Sequence, residues 1–177
     1  MTDNPYSAPQ SDSISPAGDS PETETYDRIG GWLILIGIGV TINPLIIAAT
    51  IFFTSVPPFF NGTWQVVTTP GNPAYHSMWG VVLAYELLMN IVLFGWSILT
   101  AFLFFGKRKA LPRVIIGFLA ANLALTLIDF LLARQIPLVQ QQVGDTLAAN
   151  LSRPLVACLI WIPYFNVSKR VKGTFVR

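Results

Sequence analysis

Apolar residues in this chain run in long, nearly unbroken stretches, without the three-to-four-residue spacing of a half-buried helix or the alternation of a strand. Residues 30–53 contain no charged side chain, residues 78–105 contain one, Glu86, and residues 114–133 contain one, Asp129. About 20 helical residues cross a hydrocarbon core of about 30 Å, so each of these stretches predicts a membrane-spanning helix. A fourth stretch is less regular. Leu155 to Phe165 is short and reaches spanning length over 146–165 only if the helix carries Arg153 and Pro154 inside it. Proline is tolerated there when neighbours satisfy the freed carbonyl. The rival arrangement starts the helix at Pro154, capped by Ser152, and lays Gln140 to Leu151 along the membrane surface. The spanning version is preferred, and it makes the expected fold an all-α integral membrane four-helix bundle.

What precedes the first stretch is different in kind. Residues 1–27 are rich in Ser, Pro and Thr and hold six of the nine acidic residues, with no Lys or Arg. Such a segment has little to bury, so a disordered, self-repelling acidic tail is expected before the transmembrane domain of residues 28–177. A long acidic tail followed by a long apolar run does not read as a cleaved signal peptide. Composition agrees: 53% of the 177 residues are hydrophobic and 11% charged, where soluble domains carry roughly 25% charge. The single cysteine, Cys158, excludes an intramolecular disulfide framework and a multi-cysteine metal site.

Basic residues set the orientation. Lys107, Arg108, Lys109 and Arg113 lie between the second and third stretches, Lys169, Arg170, Lys172 and Arg177 follow the fourth, and Arg28 precedes the first. Four alternating helices put all of them on one side, so both termini are expected in the cytoplasm. The loop 54–77 has no charged residue and many aromatics and prolines, which suits an outer interface. Within it, Trp64 to Thr69 reads as a short strand.

Polar residues inside the stretches are costly, about 2.5–3.5 kcal/mol for a central charge on insertion scales, and so mark candidate sites. Counted from the nearest cytoplasmic basic residue, Asp129 and Arg153 each lie 16 residues up, roughly 24 Å at the helical rise. Asn90 lies 17 residues above Lys107 and Asn43 lies 15 above Arg28. Glu86 is one turn beyond Asn90, on its face. Spacings of three, four and seven also align Ser97 and Thr100 with Glu86 and Asn90, and Asn122 and Thr126 with Asp129. The expectation is an intramembrane polar cluster in which Arg153 pairs with Asp129, Glu86 or both, supported by Asn43 and Asn90. Arg suits two carboxylates because its planar fork is bidentate.

The two ends of the apolar region carry a resemblance. Ile29-Gly30-Gly31-Trp32-Leu33-Ile34-Leu35, running to Asn43-Pro44, and Trp161-Ile162-Pro163-Tyr164-Phe165 with Ser168-Lys169-Arg170-Val171-Lys172-Gly173-Thr174-Phe175 resemble an uncharacterised bacterial inner-membrane family known as domain of unknown function 2569. The closing motif is the specific part. The resemblance implies a four-helix protein of the bacterial inner membrane, and it implies no biochemical activity.

Three functional classes follow. The first is a non-enzymatic membrane protein acting through lipid or protein contacts, its acidic tail recruiting cytoplasmic partners. The second is a small oligomeric proton- or ion-linked transporter or channel, in which two carboxylates beside one Arg leave surplus negative charge for a proton to neutralise. The third, a membrane enzyme, has no catalytic constellation beyond two acids and an Arg. No cofactor or metal is expected, since His76 stands alone and Cys158 reads as a small apolar packer. The basic loops read as topology determinants whose partners are anionic headgroups, not nucleic acid. No phosphate loop, nucleophile elbow or dinucleotide fingerprint occurs.

Overall fold

A computed structural model describes residues 31–175, without the side chains of residues 142–148 and of Arg170. The expected tail of residues 1–27 lies outside the described residues. All regular structure among those described is helical: α1 (Trp32–Thr50), a π-helical turn (Ile51–Ser55), α2 (Pro57–Phe60), α3 (Thr63–Thr68), α4 (Trp79–Phe105), α5 (Leu111–Ala133), α6 (Pro137–Val167) and α7 (Lys169–Thr174).

Among the described residues three segments are long and apolar enough to cross a membrane: Trp32–Phe60, Trp79–Phe105 and Leu111–Ala133. They correspond to the first three expected spans. The first runs beyond Phe53 because the chain continues through the π turn, and Pro57 and Pro58 then start α2, where a missing N–H costs no helical bond. In the fourth region the helix begins at Pro137 and runs unbroken through Arg153 and Pro154 to Val167, so it does not start at Pro154. Its 31 residues reach about 46 Å at 1.5 Å each, but its first half holds Gln140, Gln141, Gln142, Asp145 and Asn150 and is too polar to read as a span from composition.

The expected strand at Trp64–Thr69 is instead α3. Gly62 adopts φ 85°, the Asn61 side chain accepts the Thr63 N–H at 3.1 Å, and the Thr68 hydroxyl donates to the Trp64 carbonyl at 2.6 Å. A lone strand here would leave its backbone groups unpaired, whereas a helix satisfies them internally. Trp64 stacks on Phe59 at 5.1 Å, and the loop folds into a small cap over the start of α4.

The four long helices pack as a row, α1 on α4, α4 on α5 and α5 on α6, with only sparse backbone contact between α1 and α6. One end of the row is basic. There Leu33, Ile36, Phe104, Leu111, Ile115 and Phe165 from all four helices bury one another, and α7 tucks beneath them through Val171 and Phe175. Ser168 caps α7 by accepting the Val171 N–H at 3.4 Å. At the far end a smaller core joins Val82 of α4 to Ala133 and Ile136. Between the ends, large apolar side chains face outward on every long helix, among them Leu45, Phe102, Leu131 and Leu159. Exposed apolar surface this extensive needs hydrocarbon around it.

Candidate functional site

The expected polar cluster resolves into three groups. The first lies between α4 and α5 near the far end. The Tyr85 hydroxyl donates to the Leu125 carbonyl at 2.9 Å, pinning the two helices. This register brings Glu86 within Coulombic reach of Asp129. Asp129 Oδ1 is buried and has no hydrogen-bond partner. Among the described residues no ion pair joins Arg153 to either acid.

Register explains the separation. The Cys158 thiol donates to the Leu119 carbonyl at 3.3 Å, which sets residue 158 of α6 level with residue 119 of the antiparallel α5. At 1.5 Å per residue Arg153 is then level with about residue 124, and Asp129 stands about 7 Å nearer the far end. Counting from Arg113 and Lys169 assumed that these two share a depth. They do not, because α6 overshoots the start of α5 at the basic end, where α7 turns underneath.

The second group is one contact. Asn90 is buried and its amide donates to the Ser55 hydroxyl at 3.1 Å. The sequence did not single out Ser55, since the first span was expected to end at Phe53. The π turn carries the chain two residues further and swings Ser55 onto α4.

The third group surrounds a cavity of about 360 Å³ lined by all four long helices. Following each helix from the far end to the basic end, the first cavity residues are polar: Asn43 on α1, Ser97 on α4, Asn122 on α5 and Arg153 on α6. Thr100 lies one turn below Ser97. Below this layer the walls are Ile36, Ile115, Trp161 and Phe165. The Ser97 and Thr100 hydroxyls donate to the Phe94 and Trp96 carbonyls at 2.7 and 2.9 Å, so their oxygens retain lone pairs for an occupant. Asn43 and Arg153 each precede a proline inside a helix, Pro44 and Pro154, and each proline removes the N–H that the carbonyl four residues earlier would have bound. Lining residues from α4 and α5 such as Ser97 and Ile115 are buried, while Leu35 and Gly39 of α1 and Arg153 of α6 are exposed. The cavity therefore opens sideways between α1 and α6. A second, larger groove, about 440 Å³ along α1 and Phe104, is open and apolar, and its one polar side chain, Thr41, donates to its own helix.

Of the five expected residues, then, Asn43 and Arg153 share the cavity, Glu86 and Asp129 lie within Coulombic reach of each other elsewhere, and Asn90 ties α4 to the π turn. Asn122, Ser97 and Thr100 were aligned by spacing but not chosen. Axial distance, which spacing does not compare between helices, separates them from Asp129 and Glu86. His76 is a local device, its Nδ1 accepting the Met78 N–H at 3.2 Å.

The two ends that carried the resemblance meet in space. Trp32 and Trp161 pack edge to face with centroids 6.3 Å apart, Tyr164 packs on Trp161, and Phe175 reaches Phe104 at 5.7 Å. The opening and closing motifs thus build one structural unit, the floor of the cavity.

Comparison with known proteins agrees. The chain is 28% identical over 159 residues to a protein named inner membrane protein YdgK from Escherichia coli (strain K12), covering 87% of this chain and 97% of that one. No solved structure matches. The profile of the family described as protein of unknown function (DUF2569) matches residues 26–176, and the chain belongs to that family of membrane proteins.

Proposed function

We propose that this protein is a four-span inner-membrane protein, with both termini cytoplasmic, that works through lipid and protein contacts and not as an enzyme. The observation that carries the fourth span is the second half of α6. Leu155, Val156, Leu159 and Ile160 are all exposed there, and water would be a poor solvent for them. The relative's name supports the inner membrane. The basic loops at one end of the row support the orientation, and the acidic tail is suited to recruiting cytoplasmic partners. Reporters fused after Ser77, Lys109, Gln141 and Arg177 test the topology. Lys109 and Arg177 fusions should report cytoplasm, and Ser77 and Gln141 the outer side; a cytoplasmic report at Gln141 overturns the fourth span.

A second reading, an oligomeric proton- or ion-linked transporter, draws on one feature. Asp129 Oδ1 is buried without a partner beside Glu86, and unpaired ionisable groups inside a membrane are costly unless used. Glu86→Gln with Asp129→Asn should then abolish any flux while leaving the protein inserted. Crosslinking that finds only monomer counts against it, since four helices rarely enclose a pathway.

A further inference from the structure

We propose that the cavity binds a single-chain carboxylate amphiphile, of the fatty-acid type, whose carboxylate pairs with Arg153 and whose chain lies toward the basic end. This rests on the four-span reading, because it needs the mouth between α1 and α6 to open into lipid.

Charge selects the head. Among the described residues Arg153 is the only charged one lining the cavity, and it has no acidic partner there. A guanidinium exposed toward hydrocarbon at the mouth of the cavity, with no acidic partner among the described residues, is a costly arrangement, and a carboxylate matches its fork with two parallel hydrogen bonds. The amides of Asn43 and Asn122 lie in the same polar layer and can donate to the same head.

Size and depth decide how much ligand follows. A volume of about 360 Å³ lies near the lower limit of ligand cavities, roughly 300–1,000 Å³, with room for one chain and not two. Asn122 is 11 residues from each end of α5, about 16 Å either way and so near the bilayer midplane. A diacyl phospholipid would have to draw its glycerophosphate head deep into hydrocarbon to reach Arg153. A single-chain carboxylate brings only the group that Arg153 neutralises. Its chain then runs past Ile36, Ile115 and Ala157 to Trp161, in the direction in which the walls become apolar.

Trp161 supplies the readout. A variant keeping Trp161, with Trp32, Trp64, Trp79 and Trp96 changed to Phe, is placed in zwitterionic bilayers and titrated with dibromostearic acid, its methyl ester, or a dibrominated anionic phospholipid. The acid should quench Trp161 saturably, while the ester and the phospholipid give only the gradual quenching of bulk lipid. Arg153→Gln should weaken the saturable component roughly tenfold to a hundredfold, the loss of a charge-assisted pair, and Arg153→Lys should retain part of it. Ala157→Phe, which fills the cavity and keeps the charge, should remove it. Equal saturable quenching by acid and ester, or by Arg153→Gln and parent, overturns the proposal, as does saturation by the phospholipid alone. If none of the three probes quenches Trp161, α6 is not in lipid and the four-span reading fails with it.

Discussion

Two glycines show how one atom can be decisive. A Cβ at Gly37 would lie 3.1 Å from the ring of Phe104. That ring is 1% exposed and packed on Phe105 and Phe175, so it can yield only toward the groove that it shares with Gly37. Gly37→Ala should cost about 1–3 kcal/mol as overpacking, a drop of several degrees in apparent Tm in detergent. Gly95, with nothing within 4 Å of its Cβ position, is the contrast: Gly95→Ala should gain roughly 0.5–1 kcal/mol by removing backbone freedom from a helix interior. The Asn90–Ser55 hydrogen bond is the other residue-scale test. Buried inter-helix hydrogen bonds in membranes average about 0.6 and reach about 1.7 kcal/mol. A double-mutant cycle of Asn90→Ala and Ser55→Ala should return a coupling in that range.

Among the elements, α7 and α6 carry the least obvious roles. Lys169–Thr174 is a short, basic segment by sequence, yet Val171 and Phe175 around it are buried under the ends of four helices. Phe175→Ala should cost about 3–5 kcal/mol if the whole side chain is lost from packing. The change should appear as faster hydrogen exchange in residues 169–174, whose packing runs through Val171 and Phe175. The strand expected at Trp64–Thr69 failed for a reason at this scale. Trp and Val favour strands, but only with a neighbour to pair, and Gly62 and Asn61 start a helix instead. By contrast α6 runs on through Arg153-Pro154, as the preferred reading of the sequence had it. Its packing against α5 keeps it continuous, including the contact between Cys158 and Leu119.

Across the whole molecule, the helices form a row whose first and last members barely touch in their backbones, bridged at the basic end by Trp32 and Trp161. The cavity exists because that row is curved and incompletely closed. Residues 1–25 are polar and acidic with little apolar surface to bury, so deleting them should leave insertion unchanged. Co-purification in mild detergent with and without the tail then separates partners held by the tail from those held by the helices.

Hydrophobic run length, charge placement and the two terminal motifs were enough to read a membrane protein, three helices long and apolar enough to span, and its family, because lipid imposes one dominant constraint on composition and length. The same reading found which polar residues were out of place in hydrocarbon. It did not find which of them meet. Depth counted along separate helices gives no common origin, and the overshoot of α6 past α5 shifted Arg153 about 7 Å away from the level of Asp129. Only the packed structure sets that register, through contacts such as Tyr85 with Leu125 and Cys158 with Leu119. It thereby separates an acid pair from an Arg-lined cavity where the sequence had suggested one cluster.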